Sequence, residues 1–366
     1  MKFTVITKKF QRGLDIVKNI TGKNLNLPIL NTILITAKNN QLNLSTTNLE
    51  LGINYYLNTP VENEGRVAVN SRIITDFIFN IKDEKIEVFS KDNILNIQSV
   101  NFKTKIICFD SKDFPLIPKF KKDSLIVLPG KILKNALSSV FDSISLSQTR
   151  PELGGVFINL NKDKIYFAST DSFRLTEKII RAESKKQISA IIPRNTAAEL
   201  IRILSDYEEN ISINIEENQI QFSSDNFEII SRLIEGRYPD YQKVIPLKSV
   251  SQILFKKDDL QNNIRLAGLF SSNINDIGLR IDKKEAVVFS KNSDRGEFNS
   301  RVKNSPTVQI EEPFEVLLNY NYLADGLKNI PSDDILFEYT GEGAPIILKP
   351  KDSELNFTYL IMPLKT

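Results

Sequence analysis

The sequence IIPRNTAAELIRIL at residues 191–204 predicts a short apolar strand that continues into an amphipathic helix. Its apolar positions recur at intervals of three and four residues, which places them on one helical face: Ala197, Leu200, Ile201 and Leu204. The same stripe occurs 123 residues earlier and 126 residues later, as Ile74, Phe77, Ile78 and Ile81, and as Leu323, Gly326, Leu327 and Ile330. A period of this kind predicts tandem copies of one structural unit.

A second helical stripe precedes the first in every copy. Its members are Phe10, Gly13, Leu14 and Val17, then Leu133, Ala136, Leu137 and Val140, then Leu260, Asn263, Ile264 and Ala267. The predicted helices are therefore residues 7–19, 71–80, 130–144, 194–204, 256–270 and 320–330. Alternating segments divided by turn-forming residues lie between them and predict strand pairs. Because these helices are too short to be stable alone, we expect an α+β fold with two helices per repeat packed on antiparallel sheets.

Chain length and two proline-bearing segments divide the chain into three parts. A chain of 366 residues exceeds the usual size of one core, whereas three parts of about 120 residues fit the ordinary domain size. Two proline-bearing segments without periodicity, residues 114–122 and 238–249, separate the repeats. The predicted domains are residues 1–121, 122–249 and 250–366.

Composition argues against several classes of protein. The N-terminus has no apolar signal-peptide core, and no apolar run is long enough to span a membrane. The only cysteine, Cys108, excludes an intrachain disulfide and fits a cytoplasmic location. The chain has no histidine, and its glycines form no phosphate-binding motif. Acidic pairs such as Asp258-Asp259 are better explained as helix-start residues than as metal ligands. We therefore predict no catalytic residues, no metal and no cofactor.

Charge is distributed unevenly along the chain. The net charge is only +3, but the six predicted helices contain 13 Lys/Arg and 7 Asp/Glu, so the rest of the chain is acidic. Helices that share one surface would make that surface basic and attractive to phosphates. The alternative is that solvated helix faces carry a few extra lysines by chance.

Five motifs give the repeat a family resemblance. In chain order they are LPIL at residues 27–30, STDSFRL at 169–175, IPR at 192–194, EGRYPDY at 235–241 and the terminal YLIMPLKT at 359–366. Together with the repeat, they resemble the bacterial DNA sliding clamps, the beta subunits of the replicative DNA polymerase III holoenzyme. The resemblance implies three clamp domains per chain and a head-to-tail homodimer that closes a ring around double-stranded DNA. It also implies a processivity factor without catalysis of its own.

The resemblance also implies which residues meet DNA and which meet the second subunit. The candidates for phosphate contacts are Lys23, Arg194, Arg12, Arg72, Lys131, Arg202 and Arg265, with Lys8, Lys9, Lys134, Lys256 and Lys257 as further helix cations. Lys23 and Arg194 are favoured because they match DNA-facing regions of the family. The subunit joint would bring Leu269 and Phe270 against Thr104 and Ile106. The alternative for Leu269 and Phe270 is ordinary core.

A groove for partner peptides is the last implied site. The matching positions are Leu153, Thr170, Ser172, Arg174, Leu175, Pro239, Val244, Pro345, Leu360, Ile361, Met362, Pro363 and Leu364. Its expected ligands are short linear peptides of the polymerase catalytic subunit, the clamp loader and repair proteins. Phe173 and Thr366 depart from the family pattern at the groove rim. The first repeat has Leu51 where the second has Arg174, so the fold alone does not require the arginine; its alternative role is a local salt bridge.

Two other functions compete with this interpretation. A nucleic-acid-processing enzyme needs a cluster of metal ligands or an activated base, and the sequence contains neither. A scaffold that binds only proteins would share the groove but not the basic helices.

Overall fold

A computed structural model describes residues 1–21, 26–120, 124–302 and 310–365. In this part of the chain six α-helices are present: α1 (Thr7–Val17), α2 (Ser71–Phe79), α3 (Gly130–Phe141), α4 (Arg194–Ile203), α5 (Lys257–Gly268) and α6 (Tyr320–Asn329). All six predicted helices are confirmed, with bounds that agree within three residues. The helices α2 and α6 begin where an asparagine side chain caps them: Asn70 accepts a hydrogen bond from the Ile73 amide, and Asn319 from the Asn321 and Tyr322 amides.

The described strands of the first repeat are β1 (Lys2–Ile6), β2 (Thr32–Lys38), β3 (Gln41–Thr47), β4 (Leu51–Asn58), β5 (Val61–Asn63), β6 (Gly65–Asn70), β7 (Lys85–Lys91), β8 (Ile94–Gln98) and β9 (Lys103–Phe109). Those of the second are β10 (Ile126–Pro129), β11 (Gly155–Leu160), β12 (Lys164–Thr170), β13 (Arg174–Arg181), β14 (Ile188–Pro193), β15 (Asn210–Glu216), β16 (Gln219–Ser223) and β17 (Phe227–Arg232). Those of the third are β18 (Ser251–Lys256), β19 (Asp276–Ile281), β20 (Ala286–Asn292), β21 (Gly296–Val302), β22 (Phe314–Asn319), β23 (Asp334–Tyr339), β24 (Ile346–Pro350) and β25 (Phe357–Ile361). The strands pair antiparallel, as predicted.

The chain forms two compact units. Unit 1 comprises Met1–Lys131 and Arg202–Leu233, and unit 2 comprises Ile132–Ile201 and Ile234–Thr366. Unit 1 contains a sheet in the order β10-β15-β16-β17-β4-β3-β2-β6-β9-β8-β7-β1-β5. Unit 2 contains one sheet in the order β14-β11-β12-β13-β25-β24-β23-β18 and another in the order β21-β20-β19-β22.

These units do not coincide with the repeats, because strand pairing joins one repeat to the next. In unit 1 the second-repeat strand β17 pairs with β4 of the first repeat. In unit 2 the third-repeat strand β25 pairs with β13 of the second. The domain bounds 1–121, 122–249 and 250–366 stay predictions, and residue 121 lies outside the described residues.

The helical stripes form the faces of the cores. Every predicted stripe residue is buried except Ile201 and Phe77, which are half-buried at the margins of their helices. Two stripe positions are glycines because a tyrosine ring lies against the helix there. A Cβ added at Gly13 would lie 2.7 Å from the ring of Tyr55, and one at Gly326 would lie 2.5 Å from that of Tyr359.

Candidate functional site

The C-terminal segment of unit 2 is hydrogen-bonded along the edge of β13. Strand β25 pairs with β13 in a register that places Leu360 opposite Leu175 and Ile361 opposite Arg174. Beyond β25, the Met362 amide donates to the Phe173 carbonyl over 2.8 Å, and the Leu364 amide donates to the Leu317 carbonyl over 2.8 Å. The structure therefore brings the predicted tail and the STDSFRL turn together.

An apolar cluster joins these two segments. Three predicted groove residues, Leu153, Leu175 and Leu360, are buried in it, and Met362 packs partly buried against it. Its other members were not predicted from the sequence: Ala168, Ile191, Tyr238 and Tyr241, with Phe157, Ile234 and Ile245 at its margin. The motif EGRYPDY contained the signal for Tyr238 and Tyr241, because both are aromatic positions of that motif.

The remaining predicted groove residues differ in exposure. Ser172, Pro239 and Val244 are exposed, and Thr170 is buried. Pro345, Pro363 and Leu364 are half-buried. Phe173, at the rim, is 60% exposed. An apolar floor with exposed apolar side chains beside it is the usual form of a peptide-binding surface.

Ile361 was predicted to line the groove, and the structure contradicts this prediction. Its side chain is fully buried in the core of the third repeat, together with Phe337, Ile346 and Tyr359. Successive residues of a strand point to opposite faces, so Leu360 and Ile361 cannot both line one groove. Thr366 lies outside the described residues.

The turn between β12 and β13 is held by its own side chains. The Asp171 carboxylate accepts hydrogen bonds from the Phe173 and Arg174 amides, each over 3.0 Å. The Thr170 hydroxyl donates to the Arg174 carbonyl over 2.6 Å, and Ser172 has a φ of +78°. The first repeat has the same turn shape, since Leu49 has a φ of +77° at the matching position.

Arg174 makes the internal salt bridge that its alternative role predicted. Its guanidinium pairs with Asp171 over 3.0 Å and with Asp325, donates to the Asp142 carbonyl over 2.6 Å, and lies 4.4 Å from the Tyr322 ring centroid. Only 11% of the side chain is exposed. Arg174 therefore holds the turn beside the groove, and its charge is neutralised within unit 2.

Two buried tyrosines form one wall of the cluster. The Tyr238 ring stacks on Phe157 with centroids 4.6 Å apart, and the Tyr241 hydroxyl donates to the Glu177 carboxylate over 2.7 Å. Burial, reinforced at Tyr241 by the negative charge of Glu177, raises the pKa of both phenols. Both phenols therefore stay protonated at neutral pH, and the Tyr241 hydroxyl acts as a hydrogen-bond donor.

The predicted DNA-contacting cations of unit 1 differ in whether they are exposed or bound to other residues of the protein. On α1, Lys8, Lys9 and Arg12 are exposed. Lys131 is also exposed, and Arg72 is 89% exposed with Asp76 3.6 Å away. Arg202 is bound within the protein, because its guanidinium donates hydrogen bonds to the Asp15 and Ile16 carbonyls at the end of α1 over 3.1 and 2.8 Å. Lys23 lies outside the described residues.

The predicted cations of unit 2 are mostly engaged as well. Arg194 lies 4.3 Å from the Phe141 ring centroid and donates to the Phe141 carbonyl over 3.4 Å. Lys256 pairs with Asp334 over 2.6 Å, and Lys257 donates to the Ile330 carbonyl over 3.0 Å. Arg265 is exposed and contacts Asn262, and Lys134 is half-buried.

Two strands have a free edge where the subunit joint was predicted. Strand β9 pairs with β8 but meets β6 only at Cys108 and Phe109, so residues 103–107 have no second strand partner among the described residues. Strand β21 pairs with β20 alone within the same part of the chain. Both edges offer unpaired backbone N–H and C=O groups that can form hydrogen bonds with another strand.

The exposure of the side chains near these edges corrects one residue of the predicted subunit joint. Ile106 is buried in unit 1, so the apolar side chain that β9 presents outside is Ile107, which is 83% exposed and was missed. Thr104 is half-buried. Leu269 is 62% exposed, which contradicts the alternative of ordinary core, and Phe270 is half-buried and stacks on Phe298 with centroids 6.2 Å apart.

The described residues contain no group of three or more His, Cys, Asp or Glu side chains that would hold a metal ion. Burial raises the pKa of the Cys108 thiol to about 11, so this cysteine is a protonated core residue at neutral pH and not a nucleophile. Among the described residues, no helix is long and apolar enough to cross a membrane.

Three repeats of two helices on antiparallel sheets, with an apolar groove at the tail, define a binding protein of the DNA-clamp fold. Three family models match in chain order: the N-terminal, central and C-terminal domains of the DNA polymerase III beta subunit, at residues 1–118, 127–240 and 242–365. The chain belongs to this family. Its members are sliding clamps, which act as processivity subunits and catalyse no reaction.

Individual relatives cover the whole chain. The beta sliding clamps of Staphylococcus epidermidis and Staphylococcus aureus are 29% and 28% identical, with all of both chains aligned. The sliding clamp of Bacillus subtilis superposes with a TM-score of 0.95 at 23% identity, covering 100% of this chain and 99% of that one. A Pseudomonas aeruginosa clamp bound to griselimycin superposes with a TM-score of 0.94 at 19% identity, with both chains fully covered.

Proposed function

We propose that two copies of this chain assemble head to tail into a ring that encircles double-stranded DNA and carries partner proteins along it. The observation that best supports partner binding is the apolar cluster of Leu153, Leu175 and Leu360, with Met362 at its margin. We further propose a cytoplasmic location and the domain bounds given above. Membership of the sliding-clamp family supports each of these proposals.

The tail groove is proposed to bind short linear peptides of the polymerase catalytic subunit, the clamp loader and repair proteins. Aliphatic and methionine side chains adapt to peptides of different sequence, which suits a site shared by several partners. The griselimycin-bound relative supports the presence of a ligand-binding surface on clamps of this fold.

The subunit joint is proposed to pair the free edges of β9 and β21 from different copies. Ile107 on β9 supplies an apolar side chain to one side of the joint. Leu269 and Phe270, just after α5, supply apolar side chains to the other side. Lys103 and Lys105 make the edge of β9 basic, whereas β21 exposes both Glu297 and Arg301, and Arg301 is paired with Glu285 over 2.8 Å. Head-to-tail contacts of this kind join different surfaces and close a ring when the rotation per subunit permits.

DNA contact is proposed to rest on exposed helix cations, led by Lys8, Lys9 and Arg12 on α1. Phosphate contacts without base readout leave neighbouring positions on the duplex nearly equal in energy, which permits sliding. Arg194 and Arg202, which the fold already engages, then support the helices more than they contact phosphates directly.

Replacing Lys8, Lys9 and Arg12 together by alanine is expected to weaken the salt dependence of DNA binding. Each lost phosphate contact removes about 0.9 from the slope of log K against log salt, so the slope falls by about 3. The measurement is duplex binding over a series of salt concentrations. A matched triple variant at Lys283, Lys284 and Lys291, three exposed lysines in and after the β19–β20 turn, keeps the original slope. An unchanged slope in the α1 variant would rule out these contacts.

A further inference from the structure

Glu177 is a buried carboxylate beside the apolar cluster of the tail groove. It lies on β13 two residues after Leu175, on the same face of the strand, and is only 7% exposed. Its carboxylate accepts hydrogen bonds from the Tyr241 hydroxyl over 2.7 Å and from the Gln242 side-chain amide over 3.4 Å. No lysine or arginine of the described residues forms an ion pair with Glu177. A buried charge without a counter-ion depends on its hydrogen-bond donors, so Glu177 binds them strongly.

Both donors belong to residues 238–245, the segment that carries two of the predicted groove residues. These two residues, Pro239 and Val244, are exposed. A short 3₁₀ helix begins at Tyr241 and ends at Val244, and the Tyr241 amide donates to the Pro239 carbonyl over 2.8 Å. The position of Tyr241 therefore determines where Pro239 and Val244 lie.

The segment is also held by aromatic packing, which is less directional. The Tyr238 ring stacks on Phe157 with centroids 4.6 Å apart, and the Tyr241 ring meets Phe157 edge-on with centroids 6.1 Å apart. Apolar contact has no preferred direction, whereas a hydrogen bond has a preferred distance and angle. The bond to Glu177 thus specifies one position of the Tyr241 ring among those that packing alone would allow.

The first repeat shows that the fold does not require a carboxylate at this position. Asn54 is the matching residue, 123 positions earlier, and lies on β4. Strand β4 lies between β3 and β17 as β13 lies between β12 and β25. The Asn54 carboxamide accepts from the Ser45 hydroxyl over 2.7 Å, so a neutral side chain serves the strand equally well. Glu177 is, like Arg174, an unrepeated residue beside the groove.

We propose that Glu177 is a positioning residue for peptide binding, which holds Tyr241 and through it places Pro239 and Val244 for contact with a peptide in the tail groove. Glu177 does not touch the peptide, because it is buried beneath the segment that it holds. The inference rests on the proposed function of the groove and identifies what keeps one side of the groove in shape.

The test is a double-mutant cycle on the full-length protein, with the affinity for a polymerase-derived peptide measured by calorimetry. Glu177→Leu removes the acceptor, and Tyr241→Phe removes the donor but keeps the ring. Each substitution is expected to weaken peptide binding about tenfold, the value of one well-formed hydrogen bond. The double variant should bind no more weakly than either single variant, because all three lack the same bond.

Two further variants separate positioning from general stability. Glu177→Gln keeps an oxygen that accepts from the Tyr241 hydroxyl and is expected to bind the peptide within about twofold of the wild type. Val288→Ala creates a cavity in the core of the third repeat, where Val288 is buried. It is expected to unfold at a lower urea concentration and to keep the wild-type affinity for the peptide.

Three results would overturn the inference: wild-type affinity in Glu177→Leu, additive losses in the double variant, or an equal loss of affinity in Val288→Ala. A wild-type protein that bound no peptide would contradict the proposed function of the groove itself. Amide hydrogen exchange over residues 238–245 would then still test Glu177, because Glu177→Leu should speed this exchange about tenfold. An unchanged exchange rate would show that Glu177 does not hold the segment.

Discussion

Replacing Arg174 by alanine is expected to lower the free energy of unfolding of unit 2 by about 3 kcal/mol. The guanidinium is nearly buried and neutralises Asp171 and Asp325, so its removal leaves two acidic groups without their cation. The hydrogen bond to the Asp142 carbonyl and the contact with the Tyr322 ring are lost as well. Urea denaturation followed by circular dichroism measures the loss.

Arg150→Ala is the matched control for this substitution. Arg150 is exposed and reaches the same turn through one long hydrogen bond, 3.4 Å, to the Ser172 hydroxyl. Its replacement should change the free energy of unfolding by less than about 0.5 kcal/mol. If Arg174→Ala were as stable as Arg150→Ala, the account of Arg174 as the residue that holds the turn would be wrong.

Deleting residues 362–366 is expected to abolish the binding of partner peptides and to leave a folded dimer. The deletion removes the Met362 side chain from the margin of the apolar cluster, and with it Pro363 and Leu364. It spares β25, whose pairing with β13 ends at Ile361. Loss of these contacts should weaken a tail-groove peptide by at least about a hundredfold, measured by calorimetry with a polymerase-derived peptide.

A shorter deletion separates the groove from the chain end. Removing only Lys365 and Thr366 keeps Met362, Pro363 and Leu364, and is expected to preserve most of the affinity. Sedimentation should give a dimer for both truncated proteins. Full peptide affinity after the longer deletion would show that the ligand binds elsewhere.

The helices could be predicted from sequence because their determinants are local. The stripe spacing located all six, and the cap at Asn70 lies immediately before its helix. Which stripe positions are fully buried is set by tertiary packing, so Ile201 and Phe77 remained half-buried despite the pattern. Strands β4 and β13 are harder to recognise, because LGINYYLN and RLTEKIIR lack the simple alternation of a half-buried strand.

The division into two units was beyond sequence reasoning. It arises from the pairing of β17 with β4 and of β25 with β13, contacts between segments far apart in the chain. No local pattern specifies which strand lies beside which. The three repeats were nevertheless visible, because repetition is a property of the sequence itself.

The groove could be predicted only in part. Resemblance located its two segments, but strand alternation decides which side chains face it, and this excluded Ile361. The same rule, applied to KTKIICF in β9, would have favoured Ile107 over Ile106 as the outward side chain. The engagement of Arg194 with Phe141 and of Arg202 with the end of α1 needed coordinates, since each contact joins residues distant in sequence.

Retention on a circular plasmid tests directly whether the protein acts as a closed ring on DNA. Protein loaded onto nicked circular DNA by the clamp loader should remain bound through gel filtration and leave rapidly once the plasmid is cut at one site. Ile107→Asp, which places a charge at the proposed joint, should shorten retention on the circle. Equal dissociation from circular and linear DNA would contradict the account.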